Sequence, residues 1–146
     1  MDTPLKGNQS QKHGFTFENS VRTDVFDLKK EANNTETHDI PKEKNKFNEN
    51  ENCSIKTTKS KTLWCSDFLR FMNYDLTETN TIIVIKYEQK GDEKVVAVTY
   101  EINYNEECHK LLFGNLPRDI IEDYVKSVKA IPRKTKGQEA KKIFNY

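Results

Sequence analysis

The chain has 146 residues, 34% of them hydrophobic and 32% charged, with 24 Lys and Arg against 23 Asp and Glu and a net charge of +1. That length and apolar content suffice for one core and hardly two, which argues for a single domain. A balance so close to neutral does not mark a bulk polyanion binder, although it leaves room for a local basic groove. Cys53, Cys65 and Cys108 form no CxxC or Cys/His ligand spacing. This odd count speaks against structural zinc and for reduced thiols. No signal-peptide core or membrane-length apolar run is visible, so a soluble, intracellular protein is expected.

Met1 to Lys12 is rich in Gln, Lys, Asn and Ser and reads as a flexible arm, which leaves residues 13–146 as the domain. From Phe15, the spacing of Phe17, Val21, Val25 and Leu28 follows a helical stripe, with Glu18, Arg22 and Lys29 on other faces. Lys30 to Glu51 is polar apart from Ile40-Pro41 and Phe47 and reads as a long loop around Asp39. Cys53 to Thr58 is β-prone, and Ser66-Asp67 then starts a second helix through Phe68, Leu69, Phe71 and Met72 that ends near Tyr74.

Thr81 to Tyr87 is the clearest strand, and its nearly continuous apolar run predicts an inner position with Ile82 and Val84 buried. It should lie between the Ser54 strand and the Lys94 strand, joined to the latter by a turn at Gly91-Asp92. Asn105 should cap a short helix that stops at Gly114. Pro117 should open a longer one with Ile120, Ile121, Tyr124, Val125 and Val128 on one side, ending at Pro132. A last basic helix is expected within Gly137 to Tyr146. The order points to an α/β (α+β) fold with a small mixed sheet flanked by helices.

Four groups of residues together resemble a known family. They are Phe15-Thr16-Phe17-Glu18-Asn19 on the first helix, His38-Asp39-Ile40-Pro41 in the loop, Ser54-Ile55-Lys56-Thr57-Thr58 on the strand, and Trp64 to Phe71 on the next helix. The set resembles the type II restriction endonuclease-like proteins of the PD-(D/E)xK superfamily, of the kind carried by large DNA viruses and bacteria. The resemblance runs from about Phe15 to the end of the chain and is most specific from Ser54 to Phe71. It implies a restriction endonuclease-like core and a Mg²⁺-dependent endodeoxyribonuclease acting on double-stranded DNA.

In that family an aspartate and a lysine on neighbouring segments share the scissile phosphate, the carboxylate holding the ion and the ammonium stabilising charge. Carried over by position, Asp39 matches the motif aspartate, Lys56 the motif lysine, and Glu18 the extra acid on the first helix. His38 stands where the family's name has proline. Ser54 stands where it has an acid, so one negative ligand is missing, and Glu18, Glu51 or the Ile55 carbonyl would have to complete the metal shell. Asp39 and Lys56 should then meet in one cleft with Glu18 approaching from the helix, and any activity should need high Mg²⁺. The segment around Gly137-Gln138-Glu139-Ala140 is expected to continue further in similar proteins, which suggests a shortened member.

Every singled-out residue also has a plain structural reading. Asp39 beside proline is commonly a turn former, Lys56 an edge-strand lysine, and Glu18 a solvated helix residue. Trp64 and Phe68 read as core, His13 and His109 as surface, and His38 as a neighbour of phosphate or metal. A non-catalytic DNA-binding or interaction module that keeps the fold is the alternative to the enzyme, and a small structural or host-interaction protein is a third class. Many enzymes of this kind are homodimers because their DNA sites are palindromic, but no residue in the sequence marks a dimer surface.

Overall fold

A computed structural model describes residues 17–29, 37–63, 65, 68–132 and 142. The expected N-terminal arm, the N-cap at Ser66-Asp67, Trp64, His13 and all but one residue of the C-terminal basic segment lie outside the described residues. What is described is an α+β arrangement built on a three-stranded mixed sheet in the order β1-β2-β3. The strands are β1 (Glu51–Thr58), β2 (Thr79–Lys90) and β3 (Glu93–Asn103). β1 runs parallel to β2, with Ser54 beside Ile82 and Lys56 beside Val84. Parallel neighbours need a long crossover, and the one between β1 and β2 carries α2 (Phe68–Met72). β2 and β3 form an antiparallel hairpin. Its turn uses the left-handed freedom of Gly91 at φ 61°.

β2 is the inner strand, and Ile82, Val84, Ile85 and Tyr87 are all buried. Its two faces support two separate apolar clusters. Ile82 and Val84 meet Phe71, Tyr74, Tyr104, Phe113 and Ile121 on one side. Ile85 packs with Phe26, Ile40, Cys53 and Ile55 on the other, covered by Phe17 and Val21 of the first helical segment and by Leu28 beyond its end. Alternation along the strand explains the split, because successive side chains point to opposite faces.

The first helical segment, α1 (residues 17–25), departs from the expected α-helix. Residues 17–20 are α-helical, but Val21–Val25 is a π-helix, closed by the Phe26 N–H on the Val21 carbonyl at 3.2 Å. Arg22, expected on an outer face, is thereby buried. The loop after α1 also does more than connect. Ile40 pairs with Cys53 as an isolated antiparallel bridge, exchanging bonds of 2.9 and 2.8 Å, and its side chain is fully buried.

α3 (Glu106–Phe113) begins where Asn105 accepts the Cys108 N–H at 3.1 Å and ends at Gly114, φ 60°. α4 (Arg118–Lys129) follows Pro117. The five apolar residues expected on one side of it are unequally covered: Ile121 is buried and Val125 half-buried, whereas Ile120 and Tyr124 are each 51% exposed and Val128 is 41% exposed. A three-stranded sheet offers too little surface to cover so wide a stripe. The helix docks instead along its Arg118–Ile121 side, where the Arg118 guanidinium hydrogen-bonds the Met72 carbonyl and the Asn73 side chain at the end of α2. No helix among the described residues is long and apolar enough to cross a membrane, and Cys53, Cys65 and Cys108 are all free thiols.

Candidate active site at the β1 edge

β1 is an outer strand of the sheet, and its free edge is closed locally by the chain around Ile40. One step further along, the backbone pairing gives way to a side chain: Asp39 Oδ2 accepts the Ile55 N–H at 2.5 Å. The carboxylate therefore stands where the next ladder carbonyl would be. Cys53 turns both its N–H and its C=O to this edge, and Ile55, two residues on, has the same orientation, so the Ile55 carbonyl faces the side on which Asp39 lies. Asp39 is 1% exposed. A buried carboxylate needs partners, and a main-chain N–H is one of them.

The second carboxylate comes from α1. Glu18 is hydrogen-bonded to Asp39, and its carboxyl is pushed up to about 7, first by burial, then by the neighbouring Asp39 charge, with Lys56 and Arg22 pulling the other way. Near neutrality Glu18 is thus about half protonated, as expected where two carboxylates share one proton. Glu18, Asp39, Lys56 and Arg22 form one electrostatic unit at the β1 edge, with Lys56 half-buried on the strand. Arg22 was not singled out in the sequence, yet its distance of four residues from Glu18 is a helical pairing signal that pointed to it.

Ser54 fills its expected strand position but not as an open ligand site. It is 1% exposed, lies on the same face as Lys56 by register, and its Oγ is 2.6 Å from the Tyr74 hydroxyl and 3.3 Å from His38 Nδ1. The His38 and Tyr74 rings pack with centroids 4.4 Å apart. Burial lowers the imidazole's affinity for a proton, and it raises the Tyr74 hydroxyl to about 12, so both groups are neutral near pH 7. Tyr74 had no signal in the sequence, since its role depends on the end of α2 meeting β1 across the crossover. Glu51, weighed as a substitute ligand, is excluded: at the far end of β1 it accepts hydrogen bonds from Thr81 and Asn45. His109, expected on the surface, is half-buried against Phe113 with Nδ1 3.1 Å from the Tyr104 hydroxyl.

No cluster of three or more His, Cys, Asp or Glu side chains suited to a metal ion occurs among the described residues. The donor set at the β1 edge is two carboxylates and a main-chain carbonyl, all hard oxygens. Mg²⁺ is commonly held by one or two carboxylates with water and substrate phosphate filling the rest, so this set fits that ion better than a softer metal. Comparison with protein-family models, curated proteins and solved structures returns no match. Function is therefore argued from these residues.

Proposed function

We propose that the chain is a Mg²⁺-dependent endodeoxyribonuclease of the restriction endonuclease-like kind, hydrolysing phosphodiester bonds in double-stranded DNA at the β1 edge. The observation that carries this reading is the convergence of Glu18 and Asp39, from two distant parts of the sequence, into a hydrogen-bonded carboxylate pair that also feels Lys56. A structural turn aspartate would not need a second carboxylate beside it, because pairing like charges in a half-buried place costs stability. Glu18, Asp39 and the Ile55 carbonyl would hold the ion. When bound, it would polarise the scissile phosphate and acidify an attacking water. Lys56 would place its ammonium against the charge that grows on the phosphoryl oxygens. Arg22 tempers the negative potential of the pair, and Asp39 is oriented by the Ile55 N–H before any ligand arrives. A homodimer would suit two-fold symmetric DNA sites.

One observation favours the alternative, a DNA-binding module without chemistry. Ser54 contributes no charge and its hydroxyl is already taken by Tyr74, leaving two carboxylates where the family pattern has more. The two readings separate in one assay on supercoiled plasmid with and without Mg²⁺. The nuclease reading expects nicked or linear product only with Mg²⁺ and none from Lys56→Ala. Retarded but intact plasmid establishes the binding module instead, and neither retardation nor cutting removes both.

A further inference from the structure

β3 ends the sheet, and nothing among the described residues pairs with its outer side. It is eleven residues long. Val95, Val96, Tyr100 and Ile102 on it are between 40% and 51% exposed. Long apolar edges of this kind are what soluble proteins usually blunt, because their free N–H and C=O groups template pairing with another chain. We propose that a second copy of this chain is the occupant: its β3 lies antiparallel along this one, about a two-fold axis between Ala97 and Val98, joining two three-stranded sheets into one of six.

The argument for self-pairing is the register. A bulge opposite Lys86 and Tyr87 places one extra residue in β3 and shifts its alternation by one step. Lys94 pairs with Gln89 and Glu101 with Ile83, both odd positions of β2, so these two oppositely charged residues share a face although they lie seven apart. Val95 and Tyr100 share the other face, opposite Glu88 and Val84. Without the bulge, each pair would split between faces. With it, a two-fold axis between Ala97 and Val98 sets Lys94 against Glu101 of the second copy, Val95 against its Tyr100 and Val96 against its Thr99, and the same contacts recur on the other side of the axis. Other partners could add a strand, but the charge pattern of β3 matches itself in this register.

Lys94 supplies an independent sign of a missing neighbour. Its ammonium sits 5.0 Å from the Tyr87 ring centroid, shielded from solvent, with no hydrogen-bond acceptor among the described residues. The Tyr87 ring is a weak partner for this charge, and a glutamate carboxylate directly across a strand pair is within its reach. Glu101 is exposed and in no ion pair among the described residues. The inference needs only the strand and does not rest on nuclease activity.

Sedimentation velocity on the full chain tests it. The wild type should sediment with twice the 17.1 kDa chain mass at high concentration and dissociate on dilution. Lys94→Glu and Glu101→Lys, which set like charges opposite each other twice, should each raise the dissociation constant on the order of tenfold or more. An equimolar mixture of the two variants should recover the dimer, because each mismatched strand then faces its complement. Hydrogen exchange on the unmodified protein should show residues 93–103 gaining protection as concentration rises. A wild type that stays monomeric, variants that dimerise as well as it does, a mixture that fails to recover, or β3 amides indifferent to concentration would each overturn the proposal.

Discussion

The two edges of the sheet are treated in opposite ways. At β1, Ile40 closes the backbone ladder, Asp39 finishes it with a side chain, and the polar groups there are buried with partners. At β3, an eleven-residue strand with exposed apolar side chains on both faces has no partner on its outer side among the described residues. An edge sealed by charged residues is an expensive construction if its only purpose is to stop aggregation, since a lysine or a proline does that more cheaply. The difference teaches that β1 is the edge whose backbone and polar groups are partnered from within the chain, and β3 the edge left without a partner among the described residues.

The largest expected effects lie at the closed edge. Lys56→Ala should reduce Mg²⁺-dependent cleavage by on the order of a hundredfold or more while leaving the urea midpoint nearly unchanged, because the half-buried ammonium has a charge to stabilise but little to hold in the fold. Asp39→Ala should abolish cutting as well and also destabilise by about 1–3 kcal/mol in urea denaturation, since the buried Ile55 N–H loses its acceptor. A Lys56→Ala variant that unfolds as badly as Asp39→Ala would make both residues structural and blur the contrast between edges.

Ser54→Asp comes next. As a missing ligand, residue 54 would be improved by an acid. Enclosed at 1% exposure beside Tyr74, it should instead lose about 2 kcal/mol or more of stability on gaining a buried charge, with no drop in the Mg²⁺ requirement. A stable Ser54→Asp protein that cuts at lower Mg²⁺ would show that the site opens further than the β1 edge suggests.

The sequence made much of this legible, and where it failed the cause is tertiary. Thr81 to Tyr87 announced the inner strand because burial on both faces demands an unbroken apolar run. Gly91-Asp92 and Asn105 announced a turn and a cap because their local chemistry has few alternatives. Asp39, Lys56 and Glu18 were singled out through a resemblance of short motifs, whereas Arg22 was put on an outer face because helical periodicity cannot foresee a π-turn. Tyr74 gave no sign, since a hydroxyl on Ser54 is visible only once the crossover has brought α2 back over β1. The apolar stripe of α4 announced a helix through its spacing, but not which part of the stripe a narrow sheet could cover.

A smaller effect concerns pH. Glu18 has a pKa near 4.5 in an unfolded chain and about 7 in the folded one. Protonation therefore favours the folded state fully below 4.5, and that contribution is lost as pH rises through 7. The metal-free protein should melt at lower temperature as pH climbs across this window, and Glu18→Gln should flatten the decline. A wild-type melting temperature that rises over the same range would mean that Glu18 is not paired with Asp39. The smallest effect belongs to α4, where Tyr124→Ser should change stability by no more than about 0.5 kcal/mol, against about 2–4 kcal/mol for Ile121→Ala on the docked side.

The most direct test of the claim that Glu18 and Asp39 act as one unit is a double-mutant cycle on cleavage rate, with Glu18→Gln, Asp39→Asn and the double variant measured under single-turnover conditions at saturating plasmid and Mg²⁺. The account predicts that each single change removes most of the rate and that the double variant is hardly worse than either, because a shared site is lost with its first member. Single variants whose defects multiply in the double, or a Glu18→Gln enzyme that cuts like the wild type, would contradict it.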